Sequence, residues 1–199
     1  MRILLMAFLL VFMPAKAAQP ALGKNEAATL IDQGLAAEPL IWLPFPLPYT
    51  VDQTDKNKDG LLLDALFRHG LIEREKDMRM VEVTEAGFTR RKVQLRWVYN
   101  YSQERREQGT PEGFYYGKGK LKKVVELSAP YLIGDYYYAE AYVQWYVTDI
   151  QDWIADPAFR SARTLRRTLE SYEKPFEKRL YLQFDGGSWA LWKGEPGML

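Results

Sequence analysis

The sequence predicts an α+β fold: a small helical N-terminal unit over residues 25–90, then an antiparallel sheet unit over residues 91–199 carrying one covering helix. Three observations predict it. The second half is a succession of segments in which apolar and polar residues alternate, separated by Gly-containing turns. The first half holds two short runs with apolar residues at helical spacing. The chain is 199 residues long with 47% hydrophobic residues and no Cys, enough to bury a core without disulfides.

The first seventeen residues predict export. Arg2 precedes an apolar run from Ile3 to Met13, and Ala15-Lys16-Ala17 supplies a small-x-small cleavage pattern. That order is the n-, h- and c-region of a signal peptide, and its apolar stretch is too short to span a bilayer. Cleavage after Ala17 leaves a chain with 25 basic and 26 acidic residues, a formal charge of −1. The expected compartment is the periplasm, with no stable membrane insertion after cleavage. A near-neutral total excludes a general polyanion binder, because nucleic-acid affinity rests on accumulated positive charge.

Residues 18–24 are expected to be a flexible leader. Asn25 to Ile31 predicts a short helix capped by Asn25 and ended by Gly34. Pro39, Pro44, Pro46 and Pro48, set among Trp42, Phe45 and Tyr49, forbid a helix and predict an extended segment. Leu62, Leu63, Leu66 and Phe67 predict a second helix that Asp59 caps and Gly70 stops. A charged turn, Glu73 to Asp77, then leads into an edge strand, Met78 to Thr84.

Further strands are expected at Val93–Tyr99, Phe114–Tyr116, Leu121–Leu127, Tyr136–Val147, Arg179–Phe184 and Trp189–Trp192, with turns at Ile133-Gly134-Asp135 and Gly186-Gly187. Phe159, Ala162, Leu165 and Leu169 predict a basic helix from Ala158 to Tyr172.

Two resemblances accompany this pattern. The run His69-Gly70-Leu71-Ile72-Glu73-Arg74-Glu75 followed by Val83-Thr84-Glu85-Ala86-Gly87 resembles the segment between recognition helix and wing of MarR-like and PadR-like winged-helix regulators. It covers roughly residues 60–90 and implies a helix-plus-hairpin unit. In an exported chain it is expected to serve packing or protein contact, with no nucleic acid as partner. Tyr116-Gly117-Lys118, the Val143 to Pro157 stretch and Leu180 to Trp189 resemble the C-terminal part of exported proteobacterial proteins without an assigned activity.

Several groups are candidates for function. Asp55, Asn57 and Asp59, followed by Gly60, match the first half of a calcium loop, but Leu66 stands where the bidentate acid belongs. A polar loop ahead of a helix explains the same residues, so Ca²⁺ is the only cofactor with any support. His69, the one histidine, cannot build a multi-His zinc centre and fits a helix C-terminus as a cation. Glu126, Asp135, Glu140, Asp149, Asp152 and Asp156 are candidate carboxylates for glycan cleavage. Arg163 and Arg167 form a cationic stripe that a solvated helix face also explains.

The strongest candidate is the strand Tyr136–Val147. Alternation puts Tyr137, Ala139, Ala141, Val143, Trp145 and Val147 on a core face. The other face carries Tyr136, Tyr138, Glu140, Tyr142, Gln144 and Tyr146, a row of rings with polar tips suited to stacking on sugar or holding a protein. Packing beneath the Ala158–Tyr172 helix is the competing explanation. The expected function is therefore that of a non-enzymatic binding protein whose partner is an envelope protein or glycan. The alternative is a carboxylate-dependent hydrolase of envelope glycan.

Overall fold

The computed structural model describes residues 19–52, 58–110 and 112–194. The signal peptide, and Asp55 and Asn57 of the calcium-loop match, lie outside the described residues. Helix α1, Lys24–Ala37, is followed by β1, Pro39–Trp42, inside the proline-rich stretch, and β2, Tyr49–Asp52, directly after its last proline, Pro48. Helix α2 spans Lys58–Arg68, and strands β3, Glu73–Glu85, and β4, Phe88–Asn100, form one long hairpin. After a short helix α3, Gln103–Glu107, come β5, Phe114–Leu127, β6, Tyr131–Ile133, and β7, Tyr136–Thr148. Two 3₁₀ turns, Asp152–Ala155 and Pro157–Phe159, and helix α4, Arg163–Leu169, precede β8, Phe176–Phe184, and β9, Trp189–Trp192.

Every strand pairing is antiparallel. The larger sheet has the order β1-β5-β7-β8-β9, with β6 added beside β7, and curls into a half-barrel. The smaller sheet has the order β2-β4-β3. No helix among the described residues is long and apolar enough to cross a membrane.

The curl of the larger sheet has a local cause in β5. Leu121 pairs with Trp145 and Lys123 with Gln144, so Lys122 is an extra residue; Val125 is a second one between the Val124–Val143 and Glu126–Tyr142 pairs. Such bulges bend a strand and leave backbone groups without ladder partners. Helix α1 lies across both and supplies partners: Asp32 Oδ1 accepts the Leu121 N–H at 2.9 Å, and Lys24 Nζ donates to the Val125 carbonyl at 3.4 Å.

One core lies under α1, where Ala27 and Ile31 meet Val124, Ala139, Ala141, Val143, Leu180 and Leu182. A second core joins the two sheets. Val51 and Tyr99 of the smaller sheet share it with Leu63 and Leu66 of α2, Phe114 and Val147 of the larger sheet, and Trp153, Phe159 and Leu165.

Several expectations need correction. A winged-helix N-terminal unit is not shown: α1 packs on β5 and β9 of the larger sheet, and β4 runs unbroken through residue 90. The helix-stop half of that resemblance is present, because Gly70 at φ 69° completes a paired cap in which Leu71 N–H donates to the Leu66 carbonyl and Gly70 N–H to the Phe67 carbonyl. Ala86 and Gly87, both at positive φ, make the hairpin turn. Glu73 to Asp77 is strand rather than turn, because it pairs in register with Arg96 to Asn100 of β4.

Helix α1 does not stop at Gly34. A Cβ there would lie 2.2 Å from Leu191 Cδ2, so the glycine serves a close helix–strand contact. Asn25 makes no cap, because Gly23 occupies the N-cap position. The leader is held in place as well: the Trp189 indole N–H donates to the Ala21 carbonyl at 3.0 Å. The expected Ala158–Tyr172 helix is a 3₁₀ turn plus the short α4, begun afresh after the turn capped by Asp156.

Candidate functional site: the open face of the larger sheet

Strand β7 divides as alternation requires. Ala139, Ala141, Val143 and Val147 are buried, and both cores lie on their side. The other side of β7 carries Tyr136, Tyr138, Glu140, Tyr142, Gln144 and Tyr146, and register fixes what flanks each of them. Lys123, Gln144 and Glu177 form one row across β5, β7 and β8; Glu126, Tyr142 and Arg179 form the next. Glu140, Tyr181 and Trp192 follow across β7, β8 and β9, then Tyr131, Tyr138, Gln183 and Ala190. Lys120 stands opposite Tyr146 at the far end.

These residues are bonded to one another. The Tyr142 hydroxyl donates to Glu177 at 2.6 Å, and Gln144 Nε2 donates to the other oxygen of the same carboxylate at 2.8 Å. The Tyr142 bond holds Glu177 below the usual carboxylate range, with the Gln144 bond adding to it, and the same contact raises the Tyr142 phenol. Arg179 pairs with Glu140 and stands 5.7 Å from the centre of the Tyr142 ring, and the Glu140 bond raises its pKa. Glu126 adds a weaker attraction to Arg179.

The six tyrosine-face residues differ in availability. Tyr138 is only 4% exposed: Tyr131 and Trp192 flank its ring at 6.4 and 6.2 Å, and its oxygen accepts from Gln183 Nε2 at 2.8 Å. It is a packing residue of the sheet surface. Tyr136 is 46% exposed, while Glu140, Tyr142, Gln144 and Tyr146 are half-buried. The Tyr146 ring meets Tyr172 edge-on at 5.1 Å. Helix α4 lies on the core side, where Leu165 is buried, so it does not cover this row.

The strand β8 contribution, Glu177, Arg179, Tyr181 and Gln183, is absent from the sequence-based candidates. Its signal is the alternation with Leu180, Leu182 and Phe184. What the sequence hides is the register that sets Glu177 opposite Gln144 across a connection of more than twenty residues.

The remaining candidates do not join this face. Asp59 lies in the first turn of α2 and accepts the Tyr49 hydroxyl at 3.1 Å. No group of three potential metal ligands is found among the described residues. His69 directly follows α2, and its Nε2 is 3.0 Å from Asp156, which Arg68 also reaches at 3.3 Å. Asp149 pairs with Lys118 at 3.7 Å and accepts from the Tyr115 hydroxyl at 2.5 Å. The Arg167 guanidinium lies 4.8 Å from the centre of the Phe176 ring. Compared with protein-family models, curated proteins and solved structures, the chain matches none.

Proposed function

We propose that this is an exported, non-enzymatic binding protein of the periplasm that presents the open face of the larger sheet to an envelope protein or glycan. The observation that carries the reading is the Glu177–Tyr142–Gln144 cluster beside the Arg179–Glu140 pair. It fixes ring planes and polar tips in advance, so little side-chain entropy remains to be lost when a partner arrives. Aromatic rings offer apolar area, and the tethered acids, amide and guanidinium offer directed hydrogen bonds.

The test is co-sedimentation with purified peptidoglycan alongside affinity capture from periplasmic extract. Replacing Tyr142 and Tyr181 together with Ala is expected to weaken retention of the partner about tenfold or more, as for aromatic anchors at interfaces. Unchanged retention with a normally folded variant overturns the reading.

One observation favours the hydrolase alternative. Glu126 stands opposite Tyr142, so Glu140 is two residues along and one strand across on the same face, which puts their Cα atoms roughly 8 Å apart. That is within reach of the roughly 6.5–9.5 Å carboxyl separation of an inverting glycosidase pair. Against it, the Arg179 guanidinium already pairs with the Glu140 carboxylate, which an inverting pair would need free to face the substrate or its water. Release of soluble fragments from peptidoglycan, abolished by Glu126→Gln, would establish the hydrolase.

A further inference from the structure

The β3–β4 hairpin is longer than the body that supports it. At its base it is anchored: the Arg74 guanidinium lies 4.3 Å from the centres of both the Phe67 and Trp97 rings and donates to Asp64 at 2.9 Å. Strand β2 pairs only with Arg96 to Tyr99, so the ribbon beyond Leu95 is two strands wide. Its two faces differ sharply in chemistry. One carries Asp77 paired with Arg96, Arg79 opposite Gln94, and Lys92 and Arg90 opposite Val81 and Val83.

The other face continues the side on which Val51 and Tyr99 enter the inter-sheet core. Outward from Trp97 it presents Met78 opposite Leu95, then Met80 opposite Val93. Met78 is 71% exposed, Met80 59% and Val93 53%. Lys76 flanks this apolar stripe on the inner side, opposite Trp97; Glu82 flanks it on the outer side, opposite Arg91. Two-stranded ribbons are marginally stable alone in water, and a stripe of this kind is ordinarily covered.

We infer that this stripe packs face to face on the same stripe of a second copy of the chain. The sequence is self-complementary about the level of Arg79 and Gln94. A two-fold axis there lays Met78 over the partner's Met80 and Leu95 over the partner's Val93. The same operation lays Lys76 over the partner's Glu82 and Trp97 beneath the partner's Arg91. Every opposed pair is apolar with apolar, cation with anion, or cation with aromatic ring, and each occurs twice in an isologous dimer. Lys76 has no ion-pair partner among the described residues of its own chain and is available for this contact. Methionines suit such a seam because they adapt their shape to one another. A ribbon-sized contact belongs to the small, reversible class of interface.

The test is sedimentation of the full mature chain from about 1 μM to about 1 mM, a range that brackets a reversible association of this kind. The expected result is a concentration-dependent dimer that Met80→Glu converts to monomer throughout. Lys76→Glu alone and Glu82→Lys alone are each expected to weaken association at least tenfold, since each places two like-charge contacts in the seam. The double variant Lys76→Glu with Glu82→Lys restores it. A wild-type chain that stays monomeric overturns the inference, as does a dimer indifferent to Met80→Glu or a double variant no tighter than its single parents. Circular dichroism of each variant confirms the fold, and the charge-swap set decides the matter if Met80→Glu does not fold.

Discussion

Asp156 shows how one side chain can organise several elements. It caps the second 3₁₀ turn by accepting the Ala158 N–H at 2.8 Å, and the same carboxylate meets His69 and Arg68 at the end of α2. The backbone bond, followed by the His69 contact, lowers its pKa below the ordinary aspartate value. A carboxyl with a depressed folded pKa stabilises the fold above its unfolded pKa, near ~3.9, and that stabilisation fades as pH falls through the lower folded value. Asp156→Asn keeps an acceptor for the Ala158 N–H and removes only the charge facing His69 and Arg68, so it is expected to cost about 0.5–1 kcal/mol near neutrality. The melting-temperature gap between wild type and variant should narrow between about pH 5 and pH 3; a gap independent of pH would refute the assignment. In the sequence Asp156 is one turn acid among several, and only the tertiary structure brings His69 to it.

Among the elements, β7 was legible whole and β5 only as two separate pieces, Phe114–Tyr116 and Leu121–Leu127, for an identifiable reason. Strict alternation in Tyr136–Val147 marks both faces correctly because no bulge interrupts it. Strand β5 changes parity twice, so Lys120, Lys123 and Glu126 all reach the open face although their spacing is three. The glycines at 117 and 119 also disguise it. They mark close approaches, to Val147 and Thr148 in one case and Leu35 in the other. The α1 contact follows from the bulges. Asp32→Ala leaves the partly buried Leu121 N–H without its acceptor, and the expected loss is about 1 kcal/mol in a denaturant titration, the net worth of one such hydrogen bond. Asp32→Asn keeps an acceptor oxygen and should recover most of it.

At the scale of the whole molecule, one core joins the two sheets. The α+β class, the antiparallel sheet and most of its strands follow from pattern, because alternation and turn residues are local. The packing of α1 on β5, and of β1 beside β5, depends on contacts between residues some eighty positions apart. Phe159, 1% exposed, touches Trp42, Trp153 and the His69 ring at the centre of the shared core. Phe159→Ala is expected to cost about 3–5 kcal/mol. Far-ultraviolet dichroism and tryptophan fluorescence should still report one coincident transition; two separated transitions would show that the sheets unfold independently.

The two extra residues in β5 also set where the chain tolerates a change of length. Deleting any ordinary residue of a strand turns every following side chain to the opposite surface. Lys122 and Val125 are different, because the residues on either side of each already keep step with β7. Losing one of them would flatten the sheet locally while leaving the tyrosine row and both cores assembled, so these two positions are where related chains can differ in length without exchanging inside for outside.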